Sequence, residues 1–270
     1  GGRGEGTSTD AGTCALPLPL LRRGQHTLAD ADGNRVSSNF FGQSSFATHA
    51  VAQEKNLVKL PAGVPVELVG PLGCGIQTGA GTVLNSLAVP AGGTIAVAGT
   101  GAVGLSGIMG AKVAGATTII AIDILDERLE VAASLGATHT INSKDADPIE
   151  KIMEITGGGV DFVLDTTGVA PVIASLIQAA AFGAKIALVG VPRPGSSIDL
   201  GLVSATGKTI IGAIEGDAIP QTFIPQMLSL YEAGLFPFDK LITTYPFDQI
   251  EQAIADTASG KAVKAVLVMP

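Results

Sequence analysis

The sequence lacks tryptophan, and aromatic residues make up only 4% of its 270 residues. Its core must therefore be packed largely from small and branched aliphatic side chains. Hydrophobic residues make up 46% of the chain, charged residues only 15%, and there are 36 glycines. This composition is enough for a sizeable core and is typical of helices that lie closely on a parallel sheet. The length suggests one large domain or two modest ones.

Cysteine is also scarce: the two cysteines, Cys14 and Cys74, are too few for a disulfide framework. No CxxC spacing is present, which argues against a structural zinc site built from four cysteines. A reduced, cytoplasmic setting is the expectation. The formal net charge of −8 would repel a phosphate backbone and an anionic membrane, so neither nucleic acid nor membrane is an expected partner.

One long stretch carries no charge, between Glu67 and Lys112. A membrane-spanning helix needs about 20 continuous apolar residues, and Pro71, Asn85 and Pro90 interrupt this stretch. We therefore interpret it as buried strands and helices. Residues 1–26 are rich in glycine, serine and threonine, show no apolar signal-peptide core and predict disorder.

Strand patterns alternate with helix patterns from residue 94 onward. The predicted strands cover residues 94–98, 118–122, 140–142, 160–165, 185–189 and 209–214, and the predicted helices 102–114, 126–135, 148–156, 171–181 and 220–233. Further short strands are expected within 40–51, at 241–245 and at 262–268, the last two around a helix over 250–258. Six strands separated by helices predict an α/β fold with a doubly wound parallel sheet of the Rossmann type.

A glycine fingerprint follows the first of these strands: Gly99, Gly101, Ala102, Val103 and Gly104 lie in the pattern GxGxxG. The pattern alone is weak, but here it follows a buried strand and opens a helix, which is the required context. The first glycine allows a tight turn, the second lets a pyrophosphate approach the backbone, and the third lets helix and strand pack closely. The helix N-terminus then offers N–H groups and a positive partial charge to phosphates. All five residues are predicted to contact a dinucleotide.

An acidic residue, Asp123, ends the second strand about 20 residues beyond the glycines. A carboxylate at this place accepts the two ribose hydroxyls and repels a 2′-phosphate, which favours NAD over NADP. The alternative is a Rossmann-like domain that binds another adenine ligand, or none.

Loops after the fourth and fifth strands lie where this fold places its ligand. Thr167, Gly168, Val189 and Val191 in these loops are predicted to contact the cofactor, and the small residues of 212–216 suit the same role. Each loop could equally be an ordinary turn.

Several segments resemble one family, the zinc-type medium-chain alcohol dehydrogenases. These are FGQSSFAT over 41–48 and GPLGCGIQTG over 70–79, the latter at the family's spacing before Gly99. IGAIEGD over 211–217, followed by Phe223, Ile224 and Pro225, is similar to the aryl- or benzyl-alcohol branch. The resemblance runs from about residue 27 to residue 270.

The resemblance implies particular roles. Cys74 would be a thiolate ligand of a catalytic zinc ion, and Thr78 would lie beside the nicotinamide. Asp123 and Arg128 would hold the adenosine ribose, and Lys264 would lie near the pyrophosphate. The implied reaction is NAD-dependent oxidation of a primary, aromatic alcohol to an aldehyde by zinc-assisted hydride transfer. A homodimer through the sheet edge near residues 209–214 is also implied.

The chain departs from the family at its N-terminal side. A catalytic zinc needs three protein ligands, and the family takes the first two from a region that has no counterpart here. We therefore expect an incomplete zinc site, impaired activity, and exposure of Cys74 and its apolar neighbours. The expected domains are a remnant of the catalytic domain (1–64), the dinucleotide-binding domain (65–236) and a C-terminal return to the catalytic domain (237–270).

Two other functions stay open. One is an NAD-binding module without catalytic activity. The other is a zinc-independent reductase that uses hydroxyl groups, although Tyr231 and Tyr245 lie far along the chain from the expected nicotinamide loops. His26, His49 and His139 show no ligand spacing with Cys74.

Overall fold

The structure is a computed structural model, and it describes residues 28–36, 46 and 52–270. The predicted disorder over 1–26 lies outside these residues, as do all but one residue of the strands predicted within 40–51. Residues 60–268 form one compact unit, and the described residues before Leu60 belong to a second unit. The domain boundaries expected near 64 and 236 stay predictions.

The smaller unit contains a short hairpin. Strand β1 (Leu28–Ala29) pairs antiparallel with β2 (Arg35–Val36). Asp30 Oδ1 accepts hydrogen bonds from the backbone N–H groups of Asp32 and Asn34, which closes the turn between the strands. The bonds from Asn34 lower the pKa of Asp30, so its carboxylate is ionised at neutral pH.

Six parallel strands form the sheet of the larger unit. They are β3 (Thr94–Ala98), β4 (Thr118–Asp123), β5 (His139–Asn142), β6 (Val160–Asp165), β7 (Ala180–Leu188) and β8 (Thr209–Gly212). Their spatial order is β5-β4-β3-β6-β7-β8, so the chain reverses its winding direction between β3 and β6. This order is that of the doubly wound Rossmann fold, and the predicted fold class is confirmed.

Nine helices precede, connect and follow these strands among the described residues. They are α1 (Val66–Val69), α2 (Gly75–Gly81), α3 (Ala102–Ala114), α4 (Asp126–Leu135), α5 (Pro148–Thr156), α6 (Ala170–Ala179), α7 (Leu200–Ala205), α8 (Pro220–Glu232) and α9 (Ile250–Ala258). A 3-10 turn (Gly70–Gly73) precedes α2, and a π-helical turn (Thr82–Ser86) follows it. Among the described residues, no helix is long and apolar enough to cross a membrane.

Several elements differ from the sequence prediction; among them, α6 ends at Ala179 rather than at residue 181, and β10 begins at Lys264 rather than at residue 262. Helix α7 was not predicted, although Asp199 caps it by accepting a hydrogen bond from the Leu202 N–H. Strand β7 begins at Ala180 rather than at residue 185, because a register shift opposite β6 lets pairing start earlier. Strand β8 ends at Gly212, two residues early.

Small residues set how closely α2 and α3 approach. A Cβ atom at Gly79 would overlap the carbonyl oxygen of Val103 and would lie 2.9 Å from the Gly107 nitrogen. The Ser106 hydroxyl donates to the carbonyl of Ile76 at 2.7 Å, and both groups are buried. The two helices therefore touch backbone to backbone, which fixes α2 beside the first turns of α3.

Because of this contact, we expect alanine at position 79 to destabilise the protein relative to glycine, the opposite of its usual effect in a helix. Alanine stabilises a helix interior relative to glycine by up to about 1 kcal/mol, but Gly79→Ala should lower the free energy of unfolding by about 3 kcal/mol because the new Cβ separates α2 from α3. Gly75→Ala, in the same helix, is the control, since its Cβ would meet only Val103 Cγ2 at 3.6 Å. Urea unfolding of both variants measures the difference, and equal stabilities would contradict the packing argument.

Two further strands end the chain. Strand β9 (Ile242–Pro246) pairs in parallel with β10 (Lys264–Val268), and α9 lies between them in sequence. The buried Asp256 of α9 accepts hydrogen bonds from the Tyr245 hydroxyl (2.8 Å), the Gln252 amide (2.8 Å) and the Lys261 ammonium group (3.0 Å). The bond from Tyr245, and then that from Lys261, lowers the pKa of the Asp256 carboxyl.

The lowered pKa predicts a pH-dependent role for Tyr245. A carboxyl whose pKa is lower in the folded state stabilises the fold above its ordinary pKa, and this contribution is lost as the pH falls through the lowered value. Tyr245→Phe should therefore unfold more easily than wild type at neutral pH, and the difference should shrink in acid. Tyr231→Phe is the control, because it changes the only other tyrosine. Denaturant titrations at a series of pH values measure both, and a constant difference would contradict the prediction.

Candidate functional site

The glycine turn lies where the winding of the sheet reverses. Gly99 follows β3 with φ of +84°, and its N–H donates to the Ile122 carbonyl at 2.8 Å. A Cβ on Gly99 would come within 2.5 Å of Thr166 Oγ1, and the Thr166 hydroxyl itself donates to the carbonyls of Ala98 (2.8 Å) and Gly99 (3.0 Å). Both the left-handed backbone and the close approach of the loop after β6 thus require glycine here.

The other two glycines of the fingerprint differ from each other in their surroundings. A Cβ on Gly104 would overlap the carbonyl oxygen of Gly99, so α3 starts directly against the turn. A Cβ on Gly101 would meet nothing within 4 Å, so this face of the turn is open. No side chain of the described residues caps α3 at Gly101. The first-turn N–H groups of Ala102 and Val103 therefore lie at an uncapped, positively polarised helix end.

Asp123 is joined to this turn through Thr100. Its Oδ2 accepts from the Thr100 N–H (2.6 Å) and the Thr100 hydroxyl (2.7 Å). Its Oδ1 accepts from the N–H groups of Ile124 (2.7 Å) and Leu125 (3.2 Å). The carboxylate predicted to meet the ribose therefore also holds the glycine turn against β4. Sequence reasoning missed Thr100, whose only signal is a hydroxyl between two glycines.

A second carboxylate organises the loop after β6. Asp165 is fully buried at the end of that strand. Its Oδ1 accepts from the Thr167 hydroxyl (2.6 Å) and N–H (3.2 Å), and its Oδ2 accepts from the Gly168 N–H (3.0 Å). The Asp165 carbonyl accepts from the Val189 N–H at 2.9 Å. One residue thus fixes three of the positions predicted to contact a cofactor.

The loops after β6 and β7 meet backbone to backbone. Gly168 has φ of +63°, and a Cβ there would lie 2.7 Å from the Val191 carbonyl oxygen. A Cβ on Gly190 would overlap the Gly168 nitrogen. The Val191 side chain itself is 92% exposed. These loops are therefore tightly placed neighbours at the carboxyl edge of the sheet, and Val191 is the more exposed of their two exposed valines.

Arg128 lies on α4 and reaches toward the loop before β10. Its Nη2 donates to the Ala262 carbonyl at 3.2 Å, whereas its Nη1 is buried and meets no acceptor among the described residues. A buried guanidinium nitrogen without an acceptor suits an oxygen of a ribose or phosphate. Lys264 is half-buried on β10, two residues beyond Ala262. The structure therefore brings Arg128 to the same loop that leads into Lys264.

Thr78 lies on α2, which packs on α3. It is 7% exposed, and its hydroxyl donates to Glu215 Oε2 at 3.4 Å. The neighbouring Gln77, 2% exposed, donates from Nε2 to the same Glu215 oxygen at 2.8 Å. Sequence reasoning placed Thr78 in the site but gave no role to Gln77 or Glu215. No local signal could have found this pair, since they are far apart in sequence.

Cys74 lies at the N-terminal end of α2 and is exposed, as expected. The expectation that its apolar neighbours are exposed is wrong, because Leu72 and Ile76 are turned into the core and are fully buried. Among the described residues, no group of three or more His, Cys, Asp or Glu side chains could hold a metal ion. The described residues thus do not fit a zinc ion, although they fit a dinucleotide at the glycine turn.

Comparisons with known proteins find similarity to dehydrogenases. A profile of zinc-binding dehydrogenases matches residues 102–233. Geraniol dehydrogenase of Castellaniella defragrans is 47% identical over 263 residues, which cover 94% of this chain and 70% of that protein.

Two solved structures are also similar. An alcohol dehydrogenase zinc-binding domain protein from Burkholderia ambifaria is 51% identical with a TM-score of 0.85, and the match covers 92% of this chain and 68% of that one. Benzyl alcohol dehydrogenase from Acinetobacter calcoaceticus is 47% identical with a TM-score of 0.84, and the match covers 90% of this chain and 68% of that one. The chain thus spans about two thirds of the length of each solved relative.

Proposed function

The chain belongs to the zinc-binding dehydrogenase family, and we propose that it binds NAD for the oxidation of an aromatic primary alcohol to the aldehyde. The observation that carries the proposal is the uncapped N-terminus of α3, which begins at the open face of Gly101 where the sheet reverses its winding. Open parallel sheets bind their ligands at such a reversal. The named activities of the relatives, on geraniol and benzyl alcohol, support the choice of reaction.

The pyrophosphate would lie on the first turn of α3. The N–H groups of Ala102, Val103 and Gly104 belong to this turn, where the helix dipole favours an anion. Because Gly101 has open space in place of a side chain, a phosphate can approach the backbone closely. Lys264 would add a positive charge near the pyrophosphate, whose two negative charges the net charge of −8 on the chain would otherwise disfavour.

The adenosine ribose would lie between Asp123 and Arg128. Asp123 is held in place by four N–H and O–H donors, so its orientation is set before a ligand arrives. An oxygen of the ribose would give the buried Nη1 of Arg128 the acceptor that it lacks among the described residues. A 2′-phosphate would bring further negative charge toward the Asp123 carboxylate, which supports NAD rather than NADP.

The nicotinamide would lie toward Thr78, with Thr167, Gly168, Val189 and Val191 along the same edge of the sheet. When bound, NAD supplies the acceptor for the hydride that leaves the alcohol carbon. Among the described residues, no group of three or more His, Cys, Asp or Glu side chains could hold a metal ion, so we derive no step through zinc. The second candidate function is an NAD-binding module without catalytic activity of its own.

We also propose a homodimer through β8. This strand is the last of the six in the sheet and pairs with β7 on one side. The other side of an edge strand carries unpaired N–H and C=O groups that can pair with a second copy. Sedimentation analysis tests this, and a monomer at micromolar concentration would contradict it.

Calorimetric titration with NAD and NADP tests the proposed binding. Wild type should bind NAD at least about tenfold more tightly than NADP, because like charges repel at Asp123. Asp123→Asn should bring the two dissociation constants closer together. The ratio is the informative quantity, since loss of the bonds to Thr100 affects binding of both ligands.

Asp126→Asn is the matched control. It removes the same charge three residues away, from a side chain that is exposed and accepts a hydrogen bond only from Asn142 among the described residues. The preference for NAD should persist in this variant. Absence of binding by wild type to either dinucleotide would refute the proposal, and turnover of benzyl alcohol by wild type would exclude the catalytically inactive module.

A further inference from the structure

Three consecutive residues after β8 adopt left-handed backbone conformations. Their φ angles are +53° at Glu215, +66° at Gly216 and +48° at Asp217. For residues with a side chain this conformation costs about 1–2 kcal/mol each. It persists only where the surrounding structure determines it, and such residues cluster at functional sites. The contacts of this segment are therefore informative.

The segment is held against α2 and the π-helical turn that follows it. A Cβ on Gly216 would lie 2.6 Å from Gly81 Cα and 2.7 Å from the Gln77 carbonyl oxygen, so the two backbones touch. The Asn85 amide donates to the Gly216 carbonyl at 3.1 Å. The Ser86 hydroxyl donates to Asp217 Oδ2 at 2.6 Å. Each of the three left-handed residues thus has a hydrogen-bonding partner between residues 77 and 86.

Glu215 makes the contact nearest to the proposed nicotinamide position. One oxygen of its carboxylate accepts from both Gln77 Nε2 and the Thr78 hydroxyl. Gln77 Nε2 also donates to the carbonyl of Gly73, the residue before Cys74, at 3.2 Å. Gln77 is almost completely buried, so both of its amide protons are used within the protein. Through this amide, Glu215 connects Thr78 with the turn that carries Cys74.

The carboxylates of Glu215 and Asp217 therefore hold different parts of the chain in place. Asp217 accepts from Ser86, the last residue of the π-helical turn that follows α2, and so lies away from Cys74. Glu215 holds the first turn of α2, where Thr78 and Cys74 lie. A charged acceptor forms stronger hydrogen bonds than a neutral one, so loss of Glu215 should loosen that turn in particular.

We propose that Glu215 is a positioning residue for the nicotinamide end of the dinucleotide site, acting through Gln77 and Thr78. This inference rests on the proposed function. The left-handed backbone places the carboxylate over α2, and the carboxylate fixes the Thr78 side chain before the ligand binds. Pre-organisation of this kind raises affinity by lowering the cost of ordering the site.

The test compares two ligands, NADH and ADP-ribose, of which only NADH has the nicotinamide. The variant Glu215→Gly removes the carboxylate, and it also relieves the left-handed strain, so it should fold. Asp217→Gly is the matched control, with the same charge change and the same relief of strain two residues away. Calorimetry gives both dissociation constants. The fluorescence of bound NADH comes from its nicotinamide ring and therefore reports on that end of the ligand separately. Because this chain has no tryptophan, no energy transfer from tryptophan contributes to the signal.

Glu215→Gly should weaken NADH binding about tenfold, which is the scale of one charge-assisted hydrogen bond. Binding of ADP-ribose should change by less than about twofold, and Asp217→Gly should leave both ligands within about twofold of wild type. Glu215→Gln keeps an acceptor for Gln77 and should restore most of the NADH affinity.

Three results with the variants, and two with wild type, would overturn the inference. Equal losses for NADH and ADP-ribose would show a general structural role, and equal losses in the Glu215 and Asp217 variants would show that the segment acts as a whole. Unchanged NADH affinity in Glu215→Gly would show that NADH binding does not depend on the contact of Glu215 with Thr78 and Gln77. If wild type binds ADP-ribose but not NADH, the adenosine part of the proposed function stands and the positioning role fails; if it binds neither, both fail.

Discussion

Contact between backbones without intervening side chains is the constraint on which the site depends. Helix α3 meets the glycine turn at Gly104 and meets α2 at Gly107, where Gly79 faces it. Each contact leaves no room for a Cβ atom. The first fixes the helix N-terminus at the end of β3, and the second holds α2, which carries Thr78, beside the first turns of α3. One helix therefore positions both places at which we propose that the phosphates and the nicotinamide of one ligand lie.

Carboxylates hold the loops around this helix. Asp123 binds the glycine turn through Thr100, Asp165 binds the loop after β6, and Glu215 binds the start of α2. Asp123 and Asp165 accept from N–H and O–H groups of loops, and Glu215 accepts from the Gln77 amide and the Thr78 hydroxyl of α2. Loops held in this way keep their geometry without a ligand, as small-molecule sites usually do. Because these carboxylates would repel an anionic ligand, such a ligand would bind at the positively polarised N-terminus of α3 and near Arg128.

The sequence was sufficient to predict the order of strands and helices in the larger unit. Helix α3, for example, has the predicted bounds, because Gly115 ends it with a left-handed residue and the glycine fingerprint begins it. The glycine turn and Asp123 could be predicted because they are local patterns at a fixed spacing. Gln77 and Glu215 could not, since their contact joins positions 138 residues apart. Helix α7 was missed because its six residues are too few to show a helical period.

Amide hydrogen exchange with and without NAD tests the central claim most directly, because it reports where a ligand lies as well as whether it binds. The account predicts slower exchange at the N–H groups of residues 101–104 and 166–168 when NAD is present, with the first turn of α2 protected as well. Protection confined to other parts of the chain, or no change at saturating NAD, would contradict the claim that this edge of the sheet is the dinucleotide site.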